Sequence, residues 1–238
     1  MTTFRYDFAA LACGGVRTSV ADTPVVCRPS GALWLEASRA LVVADLHFEK
    51  GSAFATRGQL LPPYDTRETL DRLEREVAAL APRTLIFLGD SFHDGGGEAR
   101  LTAADFARLS ALAAGRDLVW VVGNHDADGP RDLPGDVVVD IAIDGLTLTH
   151  EPTPDAAAGQ IAGHLHPCVR VKARGASTRR RCFATDGTRL ILPAFGAYAG
   201  GLNILNTAFA PLFVRPPLAV VLGNGKAHAV GRGSLVPD

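Results

Sequence analysis

The sequence predicts a layered α/β domain whose second half is mostly β. Three observations carry this expectation. Strand-length apolar runs alternate with helical periodicity through the first half; each run stops in a loop rich in Gly, Asp, Asn or His; and from residue 137 onward short strands follow one another across turns.

Residues 41–44 read as a buried strand, and 66–80 as an amphipathic helix with Leu70, Leu73, Val77 and Leu80 on one face. Pro62-Pro63 marks a rigid turn into that helix, with Asp65 or Thr66 as the expected N-cap. Residues 85–88 give the next strand, 102–113 a second helix, and 118–122 a third strand closed by Gly123. In the β half, strands are expected at 137–143 and 146–149 across Asp144-Gly145, then at 169–171, 182–184 and 189–192, the last pair across Asp186-Gly187. Segments 214–222 and 227–230, around Gly223-Asn224-Gly225, predict a closing hairpin.

With 238 residues, 47% hydrophobic and 21% charged, the chain suits one domain, 1–238, with 231–238 as a loose tail. A formal charge of −1 excludes a strongly basic nucleic-acid binder, so any contact with a polyanion must be local. The N-terminal stretch carries Arg5 and Asp7 and lacks a leader's apolar core; the apolar region 202–222 is broken by Asn203, Asn206, Pro211, Arg215, Pro216 and Pro217. No membrane association is expected. Cys13, Cys27, Cys168 and Cys182 form no CxxC pair and read as reduced thiols of a cytoplasmic protein, with a Cys168–Cys182 bridge as the alternative.

Of seven histidines, His47, His93, His125, His150, His164 and His166 fall at or just beyond expected strand ends. Ligands of layered α/β proteins gather beyond the carboxyl ends of strands, so these residues are candidates to converge. Asp45-Leu46-His47 and His164-Leu165-His166 have i, i+2 spacing, which on extended backbone points both polar side chains one way, while Leu46 turns to the core. Gly163 allows a tight backbone beside the second pair. Gly89-Asp90, Gly123-Asn124-His125-Asp126 and Thr149-His150 end three further strands. A pair of divalent ions needs a bridging carboxylate, neutral imidazoles and oxygen donors; Asp90 suits the bridge, and Asn124 offers a neutral oxygen.

The ordered set DxH, GD, GNHD, H and GHxH resembles the calcineurin-like metallophosphoesterase superfamily. That resemblance implies a β-sandwich flanked by helices. It also implies one metal held by Asp45, His47, Asp90 and His166, and a second by Asp90, Asn124, His150 and His164. His125 would be the non-ligand acid, its ring oriented by Asp126, and the reaction an in-line attack on phosphorus by a hydroxide bridging the metals. Mn is the expected metal, with Fe, Zn and Mg compatible with the same donors. Residues 43–52 (VADLHFEKGS), 61–66 (LPPYDT), 89–94 (GDSFHD) and 192–196 (LPAFG) resemble the bacterial ligase-associated DNA damage response endonucleases of the PdeM type. This narrower resemblance implies DNA phosphodiester cleavage in repair, with DNA and a DNA ligase or other repair proteins as partners.

His93 and Asp94 are expected to support the ligands. Arg57, Lys50 and Tyr64 follow the first metal motif, where a phosphate-contacting or stacking group would be useful, although surface or packing duty competes. Arg170, Lys172, Arg174, Arg179, Arg180 and Arg181 concentrate positive charge just after His166, and a hairpin there would set a basic arm beside the metals; a solvated loop is the competing reading. The functional rivals are a phosphomonoesterase acting on nucleotides or phosphoproteins and a non-catalytic scaffold in a repair complex.

Overall fold

The computed structural model describes residues 7–173 and 176–238. The six N-terminal residues, including Arg5, and Arg174 of the basic segment lie outside them. Eighteen strands in this description build two sheets.

The first sheet opens with an antiparallel meander, Ala9–Ala10 (β1), Val16–Val20 (β2), Thr23–Cys27 (β3) and Leu33–Leu35 (β4), which the sequence reading did not anticipate. It continues through Ala40–Ala44 (β5), Thr84–Leu88 (β6), Asp117–Val121 (β7) and Asp136–Val138 (β8), the last four parallel to one another. Helices Lys50–Ala55 (α1), Asp65–Leu80 (α2), Gly97–Arg100 (α3) and Ala103–Ala111 (α4) fill the crossovers. The second sheet contains Asp140–Ile143 (β9), Leu146–Thr149 (β10), Gln160–Ala162 (β11), Pro167–Ala173 (β12), Ala176–Thr185 (β13), Leu190–Ile191 (β14), Leu202–Asn203 (β15), Leu218–Gly223 (β16), Lys226–Val230 (β17) and Leu235–Val236 (β18). Its main path runs β15-β12-β13-β14-β11-β10-β9, with β16 on β13, β17 on β16 and β18 on β12.

Strand alternation decides the layers. Val42, Ile86, Leu88, Val119 and Val121 face the second sheet and meet Leu148, Ile161, Phe183, Leu190 and Val220. Their neighbours Leu41, Val43, Leu85, Phe87, Leu118 and Trp120 face the other way, against Leu70, Leu73 and Val77 of α2 and Leu109 of α4. Phe87 and Trp120 stack with ring centroids 3.9 Å apart. The outer face of the second sheet, with Cys182, Ala184, Ile191 and Val221, is closed by Phe209, Leu212 and Phe213 around a 3-10 turn at Thr207–Leu212. The result is a two-sheet sandwich with helices on one side, the architecture the superfamily resemblance implied.

Several expectations change. The expected strand at 137–143 is two strands, because the chain leaves the first sheet at β8 and enters the second at β9, with Val139 74% exposed between them. Residues 231–238 are not loose: β18 pairs with β12, Leu235 is buried, and Asp238 contacts Arg170 and Arg179. Neither Asp65 nor Thr66 caps α2, whose N-cap is Tyr64 without a side-chain bond. Asp65 accepts from the Gly51 amide and Thr66 donates to Glu49, so both tie α2 to the turn before α1. All four cysteines are free; Arg181, not Cys182, sits opposite Cys168 in the β12–β13 register. No helix among the described residues is long and apolar enough to cross a membrane.

Candidate metal centre

Five strands end at one edge of the sandwich, and each end delivers a motif. β5 runs into Asp45, β6 into Gly89-Asp90, β7 toward Gly123-Asn124-His125, β10 into His150, and β11 into Gly163-His164. The Asp45-Leu46-His47 and His164-Leu165-His166 pairs are not extended, contrary to expectation. Asp45, His47, His164 and His166 have φ of 54°, 47°, 66° and 46°, and Asp90 and Glu49 share this left-handed region. Such backbone costs energy in non-glycine residues and persists where surrounding contacts fix it. Here amides of Asp45, His47 and Phe48 donate to the Gly89, Asp90 and Ser91 carbonyls, which zips the first loop to the second. Leu46 still reaches the core, at 1% exposure.

Three glycines let these loops interlock. A Cβ on Gly89 would lie 2.1 Å from His150 Nδ1, one on Gly123 2.2 Å from Asp90 Oδ1, and one on Gly163 2.7 Å from Asp45 Oδ2. Each motif's glycine is thus a socket for a polar side chain of another motif.

The donors expected as ligands gather in two groups, and His47, His93 and His125 bring their ring nitrogens together as a third cluster at the mouth. In the first, His166 Nε2 lies 3.4 Å from Asp45 Oδ1 and 3.2 Å from His47 Nε2, with Asp90 Oδ2 4.0 Å from the latter. In the second, Asn124 Oδ1 is 2.9 Å from His150 Nε2 and 3.0 Å from His164 Nδ1, and His150 Nε2 is 3.4 Å from Asp90 Oδ1. Separations near these values are those of ligands around one ion at bonds of about 2.1 Å. Asp90 turns one oxygen to each group.

The protein environment fits cations there. Asp45 and Asp90 are 0% and 2% exposed, and among the described residues no Lys or Arg pairs with either, which leaves buried negative charge to be balanced. Burial, with His166, His125, Lys50 and His93 adding, lowers the His47 pKa to about 2, so its imidazole is neutral and free to ligate. The Nδ1 atoms of His47 and His150 are buried without a hydrogen-bond partner among the described residues, so these rings rely on what Nε2 binds.

His125 stands at the mouth, its side chain 40% exposed and its Nε2 3.9 Å from Asp90 Oδ2. The His93 carbonyl lies 2.8 Å from Nδ1 and accepts from it, which turns Nε2 toward the cleft. Asp126, expected to orient this ring, does something else. Its oxygens accept from the Phe92 and Gly123 amides, clamping the second loop to the third, and no hydrogen bond joins it to the ring. Burial pushes its carboxyl up to about 6, with the neighbouring Asp90 charge adding and the amide bonds opposing.

The His93 ring stacks on His125 at 5.4 Å and meets Phe54 in a tilted contact at 5.6 Å, and its pKa is lowered by burial and then by Lys50 and His125. Asp94 points elsewhere, to the Arg100 guanidinium at 2.8 Å. Arg100 donates to Ser52, Ser52 to Glu49, and Thr66 to the other Glu49 oxygen. This partly buried relay around Glu49 was missed in the sequence, where nothing links residues so far apart. Arg57 lies exposed just past α1, its charge acting on His93, and Tyr64 is 58% exposed. Lys50 joins His93, His125 and His166 in lining a cleft of about 180 Å³, beside a larger cavity of about 470 Å³ that shares Asn124 and His125.

The basic hairpin β12–β13 exists, but its three consecutive arginines do not form one arm. Arg179 donates to the Gly201 carbonyl and meets Asp238, Arg180 is exposed on the other face, and Arg181 is drawn inward to the Ala194 carbonyl at 2.6 Å.

A fold of this kind, with these clusters at its strand ends, defines a metallophosphoesterase. The chain belongs to the calcineurin-like phosphoesterase family, whose profile matches residues 38–160, more than half of the sequence. It is a metal-dependent hydrolase acting on phosphate esters. Among solved structures it is similar to the Pseudomonas putida nuclease MPE, at TM-score 0.66 and 25% identity over 95% of this chain and 100% of that one. The E. coli phosphoesterase Yfce aligns at TM-score 0.38 and 15% identity over 68% of this chain and 83% of that chain. No curated protein matches.

Proposed function

We propose that this phosphoesterase is a phosphodiesterase and endonuclease, acting on DNA as a single catalytic domain. The observation that carries the reading is the pair of donor clusters sharing Asp90, with His125 at their mouth, where we assign it the role of the non-ligand acid. Similarity to a nuclease along nearly the whole chain supports nucleic acid as the substrate class. A role in repair beside a ligase rests on the PdeM-type motifs alone. Free cysteines fit the reducing cytosol.

Asp45, His47, Asp90 and His166 would hold one divalent ion, and Asp90, Asn124, His150 and His164 the other, with Mn proposed for both. When bound, such ions activate water and neutralise charge on the phosphoryl oxygens. The chain's own residues do the rest. Asp90 fixes the spacing of the two groups. His125, held at Nδ1 by the His93 carbonyl, presents Nε2 to the leaving oxygen and, when protonated, delivers a proton there. His93, packed on the His125 ring, keeps it in place.

The test compares bis-p-nitrophenyl phosphate with p-nitrophenyl phosphate, with Mn²⁺ supplied and plasmid DNA run in parallel. Diester preference with DNA nicking is expected, and His125→Ala should lower kcat about 10²- to 10⁴-fold while metal content is kept. Strong monoester preference without DNA cleavage would replace the endonuclease with a phosphomonoesterase.

A further inference from the structure

Lys50 opens α1 immediately after Glu49, whose φ is 63°. The backbone on both sides of it is held by Thr66, Ser52 and Asp65. Glu49 accepts from Thr66 and Ser52, the Glu49 amide donates to Thr66 Oγ1, and the Gly51 amide donates to Asp65. From this turn the Lys50 side chain runs along Phe54 (Nζ 6.0 Å from the ring centroid) and into the wall of the metal cleft. There Nζ donates to the Tyr198 carbonyl at 3.1 Å. The carbonyl is itself placed by the loop around it: Tyr198 Oη donates to the Pro62 carbonyl, and the Ala197 amide to Thr69 Oγ1.

An ammonium carries three donors, and among the described residues this one makes a single hydrogen bond and no ion pair with a carboxylate. Asp65, the carboxylate whose charge Lys50 feels, already accepts from Gly51. A lysine kept for packing alone would extend its head to water or to an acidic partner. This one is half-buried, aimed at the cleft, and the one Lys or Arg among the residues that line it.

We infer that Lys50 is the anion-binding side chain of the cleft, receiving a non-bridging oxygen of the substrate phosphate beside the two donor clusters. This rests on the phosphoesterase reading of the cleft. It assigns to the lysine a task the metal-ligating residues do not perform, which is gripping the phosphate from the α1 wall. Phosphate, bound as product or as inhibitor, is the simplest ligand of that chemistry.

Calorimetric titration of Mn-loaded protein with inorganic phosphate tests it without requiring turnover. Lys50→Met should weaken phosphate binding about ten- to a hundredfold, the worth of a charge-assisted hydrogen bond, with two ions per chain retained. KM for a diester should rise more than kcat falls. Lys50→Arg, which keeps the charge and the stem, should recover part of the affinity. Unchanged phosphate affinity in metal-loaded Lys50→Met, or a melting-temperature loss common to both variants with affinity intact, would reduce Lys50 to a latch on the Tyr198 loop and overturn the inference. Should Lys50→Met lose its metals, Lys50→Gln carries the same comparison. Lysine-dependent phosphate binding without hydrolysis of any ester would leave Lys50 standing and defeat the proposed function instead.

Discussion

Asp186 shows how far a single buried carboxylate can organise this molecule away from the cleft. It is 0% exposed; Oδ1 accepts from the Thr188 amide and hydroxyl and the Arg189 amide, and Oδ2 from the Val214 amide. Arg189 in turn reaches the Pro154, Ala156 and Leu212 carbonyls. Burial alone would push the Asp186 carboxyl up, but the Thr188, Arg189 and Arg215 hydrogen bonds outweigh it and hold the group below its ordinary value of 3.8. A depressed carboxyl contributes stability above its unfolded pKa and loses it as pH falls through the folded one. Asp186→Asn should therefore cost about 3 kcal/mol at neutral pH. The deficit should shrink below pH 3.8, as read by urea unfolding across pH; a pH-independent deficit would contradict this. At this scale the sequence was informative about residue types and less so about backbone. Asp45, His47, Asp90, Asn124, His150, His164 and His166 converge as the motifs implied, yet the left-handed φ values of Asp45, His47, Asp90, His164 and His166 were invisible because they come from loop-to-loop hydrogen bonds.

Elements explain which basic residues are available. On β13, alternation places Arg180 outward on one face and Arg179 and Arg181 on the other, so three adjacent arginines have three fates. Arg181→Ala should cost about 2 kcal/mol, since it strands the Ala194 carbonyl, whereas Arg180→Ala should stay within about 0.5 kcal/mol. Equal effects in chemical denaturation would show that this reading of the hairpin is wrong. The loops between strands make a sharper case. Gly123→Ala would press a methyl against the Asp90 amide and Oδ1, both 2.2 Å from the ideal Cβ position. At least one of two bound ions should be lost, and metal analysis with a thermal melt would show whether the fold survives. Helix α2 and strands β5, β6 and β7 were legible because their periodicity is local. The β1–β4 meander and the docked β18 were not, since short strands gain their stability from partners distant in sequence.

Across the whole molecule, two sheets share one apolar layer, and the ends of their strands assemble a site from residues between 45 and 166. The near-zero net charge leaves polyanion binding to local features, of which the metal clusters, Lys50 and the exposed part of the hairpin are the ones described above. The fold class was readable because the strands that end at the site carry a chemical signature, and the handover of the chain between sheets at Val139 was not, since 137–143 is apolar on either side of Asp140 with no Gly or Pro to mark the break. On the proposed function, Asp90 joins two ion sites on which phosphoester cleavage depends. Metal content by mass spectrometry, followed on the same sample as Mn²⁺ is titrated into chelator-stripped protein during diester hydrolysis, tests it most directly. Activity should appear only as the second ion per chain binds, and Asp90→Ala should retain neither the ion pair nor turnover. Full activity in stripped protein, or with one ion per chain, would contradict it.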